Sequence, residues 1–141
     1  MEQRDFRKIL IIYSDFYKDI TENLLLGSED FLKSKKVSYD KKRVDGSLEI
    51  PFLLSKYHKD YSGVIILGCV IKGETDHYQI VKDICFKRIY DFAYNNCVAL
   101  GTALLTVNNY EQAQERSDIK RKNLGKNAAV ACLNLIECLK D

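Results

Sequence analysis

The sequence predicts an α/β protein in which a parallel sheet is covered by helices on both faces. Short aliphatic runs alternate along the chain with longer segments whose apolar residues recur at helical spacing. The runs 9–13, 64–70 and 97–106 are apolar at consecutive positions, as strands buried between two helical layers must be. A fourth candidate strand, 37–44, is more polar and is expected at an edge of the sheet.

The helices are predicted from apolar spacing and from residues that favour helix ends. Asp19 and Glu22 have the spacing of a capping box at the start of the first helix. Pro51 suits the first turn of the second helix, and Asn109 suits the residue before a short helix. The predicted helices are 19–33, 51–59, 78–94, 109–116 and 126–139.

The order of elements is βαβαβαβα with one additional helix. We therefore predict a three-layer αβα fold with a four-stranded parallel, flavodoxin-like sheet, formed by one domain over residues 1–141. One proline and seven glycines leave no stretch that resembles a flexible linker. In such folds ligands bind beyond the carboxyl ends of the strands, so the segments after each strand are the candidates for a site.

Composition excludes several classes of function. The formal net charge is +2, and no basic stripe is interleaved with aromatic residues, so we expect no nucleic-acid partner. The longest apolar stretch, 64–71, is far shorter than the roughly 20 residues of a spanning helix, and residues 1–5 do not resemble a signal peptide, so a cytoplasmic protein is expected. Because the five cysteines lack a paired spacing, we predict that most of them are small buried residues in a reducing compartment and that they form no metal site.

The segments after the first two strands contain residues with two possible roles. Phe16 could stack on a planar heterocycle or could cover the top of the core. Gly46 permits close approach of the backbone to a ligand. Glu49 either stabilises the start of the following helix or accepts hydrogen bonds from the hydroxyls of a polyol, and position favours the first role.

The segment after the third strand is the most informative one. Gly73 and Thr75 precede a helix start, where free amide groups suit a phosphate. His77 is predicted in the first turn of that helix, where the helix dipole favours a neutral imidazole able to exchange protons; a structural role remains an equal alternative. After the fourth strand, Arg116 is either a partner of its own helix dipole or a bidentate ligand for an anion.

Four motifs together resemble the lumazine synthase family over about residues 9–139. The first three are Ser-Asp-Phe-Tyr at 14–17, Asp-Gly-Ser-Leu-Glu-Ile-Pro at 45–51 and Leu-Gly-Cys-Val-Ile-Lys-Gly-Glu-Thr-Asp-His-Tyr at 67–78. The fourth consists of Leu-Thr at 105–106 followed by Glu-Gln-Ala-Gln-Glu-Arg at 111–116. The third motif is highly specific, and all four occur in the family's order.

The resemblance implies a role for each matched position. Residues implied to hold 5-amino-6-(D-ribitylamino)uracil are Phe16, Ser47, Leu48, Glu49, Cys69, Val70, Ile71 and, from the adjacent subunit, Thr102. Residues implied to hold the phosphate of 3,4-dihydroxy-2-butanone 4-phosphate are Glu74, Thr75 and, from the adjacent subunit, Arg116. His77 is implied as the residue that transfers protons.

The resemblance also implies the reaction and the assembly. The two substrates condense to 6,7-dimethyl-8-ribityllumazine, the penultimate step of riboflavin biosynthesis, without a metal or redox cofactor. Members of the family form pentamers, some of which assemble into a sixty-subunit shell, and riboflavin synthase is an expected partner. Departures from the family pattern are Asp15 and Lys72 in place of arginine, and Leu48, Thr102 and Leu124.

Two alternatives stay open at this point. A catalytically weakened relative that binds riboflavin or lumazine, or serves as a scaffold, is compatible with the departures at positions 48, 102 and 124. A flavodoxin-like binding or signalling domain is less compatible, because residues 14–18 form neither a phosphate loop nor an acidic cluster. Turnover of the two substrates separates the first alternative from an active enzyme.

Overall fold

The structure is a computed structural model that describes residues 8–74 and 77–140. Within these residues it contains four strands and five α-helices. The strands are β1 (Ile9–Ser14), β2 (Tyr39–Val44), β3 (Gly63–Ile71) and β4 (Leu100–Val107). The helices are α1 (Lys18–Ser34), α2 (Ile50–Tyr57), α3 (Tyr78–Asn96), α4 (Tyr110–Ser117) and α5 (Leu124–Cys138). Two short 3₁₀ turns, Ser47–Glu49 and His58–Asp60, flank α2.

All strands pair in parallel in the order β2-β1-β3-β4. This confirms the predicted three-layer α/β fold, and the polar strand β2 lies at an edge as expected. The chain adds β2 on one side of β1 and then β3 on the other side, so the loops that follow β1 and β3 run to opposite faces of the sheet and open a crevice between these two strands. The register places Ser14 beside Val44 and Tyr13 beside Leu67 at that end of the sheet.

Two hydrophobic cores lie on opposite faces of the sheet because side chains alternate along each strand. Ile9 and Ile11 pack with α1, α4 and α5 on one face, whereas Leu10 and Ile12 pack with α2 and α3 on the other. Every residue of β3 is buried, which is why that run carries no polar alternation. Each fully buried aliphatic side chain contributes about 1.5–3 kcal/mol relative to an exposed one.

Two glycines allow α5 to lie unusually close to its neighbours. A Cβ atom at Gly101 in β4 would overlap the carbonyl group of Ala128, and one at Gly125 would overlap the carbonyl group of Leu24 in α1. The hydroxyl of Ser28 donates to the Gly125 carbonyl oxygen at 2.6 Å. Helix α5 is thereby fixed against both α1 and β4, on the face that also carries α4.

Several predicted helix ends are confirmed, and one is wrong. Asn109 precedes α4, and its side-chain oxygen accepts from the Gln112 amide at 2.8 Å. Pro51 lies in the first turn of α2. The predicted capping box at Asp19 and Glu22 is wrong, because α1 begins at Lys18 and Asp19 is therefore inside the first turn, where its charge favours the helix dipole.

The start of β4 differs from prediction, whereas most of the cysteines are buried as expected. Cys97 adopts a left-handed conformation with φ 51° that ends α3, so β4 begins at Leu100 rather than at residue 97. Cys69, Cys85 and Cys132 are buried as predicted, whereas Cys97 and Cys138 are exposed. Across residues 8–74 and 77–140, none of the helices is both long enough and apolar enough to cross a bilayer.

Candidate functional site

A cleft of about 140 Å³ lies beyond the carboxyl ends of the strands. The loops after β1 and β2, the end of β3 and the first turn of α3 form its walls. Four residues predicted for a site line it, namely Phe16, Ser47, Cys69 and Val70; Tyr17, Gly46 and Val81 line it too. The fold thus brings three separate sequence motifs together at the place where an α/β sheet binds ligands.

The Phe16 ring is available to a ligand rather than packed into the core. Its side chain is 72% exposed, which excludes the alternative that it covers the core. The neighbouring Tyr17 ring meets it edge to face, with centroids 5.0 Å apart and planes at 83°. Such an edge contact fixes one side of the Phe16 ring, and stacking on a planar heterocycle would use a ring face.

Small polar residues beside the cleft interlock three elements of the fold. The hydroxyl oxygens of Ser14 and Ser47 lie 3.3 Å apart in a buried contact, and Thr21 donates to the Ser14 carbonyl oxygen at 2.7 Å. A Cβ atom at Gly68 would lie 2.7 Å from the Ser14 hydroxyl oxygen. Neither Ser14 nor Gly68 was predicted to belong to the site, although Ser14 begins the first motif and Gly68 falls inside the third.

The loop after β2 is closed by Glu49. The Gly46 amide donates to Glu49 Oε1 at 2.9 Å, and the Glu49 amide donates to the Gly46 carbonyl oxygen at 3.1 Å. The Glu49 carboxylate therefore caps the 3₁₀ turn Ser47–Glu49, which leads into α2, and makes no side-chain cap bond to α2 itself. The reciprocal pair also holds Ser47 in place, since Ser47 lies between its two ends.

The turn after β3 uses one of the amides expected to bind phosphate. The Glu74 amide donates to the Ile71 carbonyl oxygen at 3.2 Å, and Gly73 has φ +86°, which together define a type II turn. The Lys72 amide donates to the Val107 carbonyl oxygen at 2.8 Å and attaches this turn to the end of β4. Thr75, predicted to contribute a hydroxyl, lies outside the described residues.

His77 is exposed and stands immediately before α3, not within its first turn as predicted. Its carbonyl oxygen accepts from the Val81 amide at 2.8 Å, the first hydrogen bond of the helix. Because Val81 lines the cleft, the helix turn that begins at His77 reaches the cleft wall.

Burial keeps two polar groups of the cleft uncharged. Desolvation, reinforced by the Glu74 and Cys69 side chains, raises the pKa of Tyr17 above its usual value. Burial raises the pKa of the Cys69 thiol to about 12. Cys69 is therefore a thiol at neutral pH and lacks the thiolate that nucleophilic catalysis requires. Tyr17 keeps its proton and can donate it in a hydrogen bond.

Two residues predicted to come from a neighbouring subunit lie away from this cleft. Thr102 lies in the middle of β4 opposite Ile66, and its hydroxyl is 2.8 Å from that of Tyr90. Arg116 is half-buried in the last turn of α4. Neither is among the residues that line the cleft in the described part of one chain.

A second groove of about 380 Å³ runs between α2 and α3. Leu48, predicted to contact a ligand, is 41% exposed and lines this groove with Phe52, Ile84 and Phe92. Phe52 is 75% exposed. Large apolar side chains at such exposure on one face are typical of a surface that another protein covers.

Residues 8–74 and 77–140 contain no cluster of three His, Cys, Asp or Glu side chains arranged to hold a metal ion.

Comparison with known proteins gives a consistent result. The family model for 6,7-dimethyl-8-ribityllumazine synthase matches residues 7–140. A protein of that name from Bartonella bacilliformis is 40% identical over 136 residues, covering 94% of this chain and 90% of the relative. A second from Paramagnetospirillum magneticum is 40% identical over 138 residues, covering 92% of each chain. A third from Bartonella tribocorum is 38% identical over 142 residues, covering 99% of this chain and 94% of the relative.

Proposed function

Because the chain belongs to the 6,7-dimethyl-8-ribityllumazine synthase family, we propose that its strand-end cleft performs the family's condensation. The protein is a transferase of riboflavin biosynthesis, which condenses 5-amino-6-(D-ribitylamino)uracil with 3,4-dihydroxy-2-butanone 4-phosphate and releases phosphate and water. The observation that carries the site assignment is the convergence of Phe16, Ser47, Cys69 and Val70 on one cleft. We also propose that residues 1–141 form one domain.

The pyrimidine ring is proposed to stack on Phe16. The exposed face of that ring supports this role, and stacking of aromatic rings adds about 0.5–1.5 kcal/mol beyond area burial. Cys69, Val70 and Ile71 would border the ring at the end of β3. The Ile71 side chain is buried in the core on the α1 face, so its contribution would come from the backbone.

The ribityl chain is proposed to lie along the 3₁₀ turn Ser47–Glu49. A carboxylate offers about four acceptor positions, so Glu49 can accept from ribityl hydroxyls while it holds the Gly46 amide. Ser47 lies at the cleft wall. Leu48 belongs to the same turn and would contribute its backbone, because its side chain lies on the neighbouring groove.

The phosphate of the sugar substrate is proposed to lie at the turn between β3 and α3. Because the Glu74 amide donates within the turn, the amides of Gly73 and Thr75 and the Thr75 hydroxyl are the proposed donors near Glu74. The start of α3 adds a favourable dipole for an anion. Arg116 of an adjacent subunit would supply the charge by a bidentate contact.

The reaction needs positioning and proton transfer. The 5-amino group attacks the ketone and forms a Schiff base with loss of one water, phosphate leaves, and the second nitrogen closes the ring with loss of a second water. Alignment of two substrates can lower a barrier by about 7–11 kcal/mol. We assign the proton transfers to His77, which stands next to the proposed phosphate position; a positioned histidine contributes about 100- to 10,000-fold.

The proposed site is shared between subunits. The cleft volume of about 140 Å³ is below the roughly 300–1,000 Å³ of sites that enclose drug-sized ligands. Neither Arg116 nor Thr102 lines the cleft in the described part of one chain. Because β4 is an edge strand, a neighbour can contact Thr102. The exposed apolar side chains of α2 and α3 supply an interface, and we propose a pentamer, open to further assembly into a sixty-subunit shell.

Light scattering and sedimentation measure this assembly directly. A pentamer or a multiple of it is expected, and a monomer that turns over substrate would contradict the shared site. Riboflavin synthase, which would consume the product, is the proposed partner. We place the protein in the cytoplasm, because the exposed thiols of Cys97 and Cys138 persist best in a reducing compartment.

Formation of lumazine, followed by absorbance or fluorescence, tests the site. His77→Ala is expected to lower kcat with little change in KM, and Arg116→Ala is expected to raise KM for the sugar phosphate. His58→Ala is the matched control for the imidazole, since His58 does not line the cleft. Because His58 packs on Phe92 of the proposed interface at 4.8 Å, sedimentation should first show that this variant assembles as the parent does. Arg121→Ala is the matched control for the guanidinium. Full activity of both site variants would remove these assignments.

A further inference from the structure

A guanidinium on β2 bridges the two loops that face each other across the cleft. Arg43 Nε lies 2.7 Å from Asp15 Oδ2, and a terminal nitrogen of the same group lies 2.8 Å from Asp45 Oδ1. Asp15 follows the last residue of β1, and Asp45 follows the last residue of β2. One side chain therefore binds the first loop residue after each of two adjacent strands.

The parallel register explains why Arg43 reaches both loops. Arg43 pairs with Tyr13, one position before the ends of the two strands, so its long side chain extends past the edge of the sheet. The next residue after Asp15 is Phe16, and the residues after Asp45 are Gly46 and Ser47. Since these residues line the cleft, moving either carboxylate moves a wall of the cleft.

We propose that Arg43 is a positioning residue for the pyrimidine substrate, because it fixes the Phe16 loop and the Ser47 loop at a set separation. This inference rests on the proposed function for its kinetic readout. It assigns Arg43 no contact with the substrate. The role is also distinct from charge supply to an anion, because two carboxylates already occupy the guanidinium.

The two contacts differ in strength. The Asp15 side chain is 21% exposed and the Asp45 side chain is 88% exposed, so solvent screens the second contact more. Consistent with a real charge-assisted bond, the Arg43 contact lowers the pKa of Asp15 below its usual value, with Lys18 a weaker contributor. We therefore expect the Phe16 loop to depend on Arg43 more than the Ser47 loop does.

The planar guanidinium group of Arg43 suits a bridge between two carboxylates. Arginine presents two nitrogens in fixed directions, so it can hold both carboxylates at once. Lysine at the same position has one nitrogen and would bind one carboxylate at a time. Arg43→Lys therefore separates the bridging geometry from the charge, while Arg43→Gln removes both.

The chain offers a matched control at the opposite end of the same pair of strands. Lys8 forms an ion pair with Asp40 at 3.2 Å, with comparable exposure of 53% and 42%. Lys8→Gln removes one surface ion pair between β1 and β2 without touching the cleft. Both pairs are exposed, so neither removal is expected to unfold the protein.

The test combines kinetics with hydrogen exchange of the backbone amides in the whole assembled protein. For Arg43→Gln we expect KM for the ribitylaminouracil to rise about two- to fivefold, with kcat within about twofold and KM for the sugar phosphate unchanged. Amides of segments 15–17 and 45–48 should exchange several-fold faster. Arg43→Lys should be intermediate, and Lys8→Gln should match the parent in both measurements.

The dependence of KM on salt provides a second readout, because a contribution of Arg43 that did not depend on its charge would leave KM insensitive to salt. Near 1 M salt the screening length is about 3 Å, so the exposed Asp45 contact should weaken more than the Asp15 contact. The KM of the parent should therefore rise part of the way towards that of Arg43→Gln, while the variant changes little. An unchanged KM in Arg43→Gln overturns the proposal, whether or not exchange accelerates. Faster exchange throughout the chain overturns it as well. If the parent forms no lumazine, the proposed function fails, and local exchange in the two loops still decides whether Arg43 orders them.

Discussion

Gly68→Ala is the substitution for which the structure makes the sharpest prediction about the cleft. The added Cβ atom would lie 2.7 Å from the Ser14 hydroxyl oxygen and 2.9 Å from Leu104 Cδ1. Leu104 is buried in β4 and has little room to move. The Ser14 hydroxyl can rotate, but rotation breaks its 3.3 Å contact with Ser47. The substitution therefore crowds Leu104 in the sheet and at the same time removes a contact of Ser47 in the cleft wall.

The expected cost follows from these two effects. Adding one methyl group to a packed core costs about 1–3 kcal/mol. Loss of one buried hydrogen bond costs about 0.5–1.5 kcal/mol. Because rotation of Ser14 relieves part of the crowding, the two costs do not simply add. We expect Gly68→Ala to lower the free energy of unfolding by about 2–3 kcal/mol and to raise KM for the ribitylaminouracil.

Ser14→Ala and the double variant test the reasoning. Ser14→Ala alone should cost about 1 kcal/mol, and in the double variant the missing hydroxyl leaves room for the new methyl group. The double variant should thus be about 1 kcal/mol more stable than the sum of the single effects predicts. Urea unfolding at one fixed subunit concentration measures this, since the apparent stability of an oligomer depends on concentration. Strict additivity, or a Gly68→Ala protein as stable as the parent, would refute the packing argument.

Three further predictions concern the turn after β3, the start of α4 and the tyrosines. Gly73→Ala meets no atom within 4 Å but forces alanine to φ +86°, so it should cost about 1–2 kcal/mol and raise KM for the sugar phosphate; an unaffected variant in unfolding and kinetics would contradict this. Asn109→Ala should cost about 1 kcal/mol in urea unfolding through loss of the helix cap, and Asn109→Gly only a few tenths. Burial, then hydrogen bonds to carboxylates, raise the pKa of Tyr39 and Tyr61 to about 12, so their stabilisation is complete below about pH 10 and is lost as the pH rises towards 12. The double Tyr→Phe variant should show a flatter pH dependence of unfolding in that range, and an equal slope would contradict the assignment.

The arrangement of strands and helices could be predicted because burial leaves a direct mark on composition. The fully buried β3 reads as an unbroken apolar run, and the edge strand β2 reads as polar. Helix and strand ends were harder to predict where backbone geometry decides them. Cys97 ends α3 through a left-handed conformation that no local residue preference for cysteine indicates.

The candidate site could be predicted in outline because parallel strands deliver their following loops to one edge. Phe16, Ser47, Cys69 and Val70 converge for that reason. The Arg43 bridge was not predictable in the same way, since it depends on the register that sets Tyr13 beside Arg43. Contacts of this kind join segments about 30 residues apart and leave no spacing pattern in the sequence.

The charges along the carboxyl edge argue for the orientation of the two substrates. The segments after β1 and β2 carry the carboxylates of Asp15, Asp45 and Glu49. Asp15 and Asp45 both form ion pairs with the Arg43 guanidinium. A phosphate is disfavoured there, whereas an uncharged pyrimidine with a polyol chain is not. By sequence, the segment between β3 and α3 carries Glu74 and Asp76 against Lys72, an excess of negative charge that does not favour a phosphate. Backbone amides and a cation from outside the chain would supply the attraction, which is the role proposed for Arg116 of an adjacent subunit. On this argument a dissociated subunit should lose affinity for the sugar phosphate before it loses affinity for the pyrimidine.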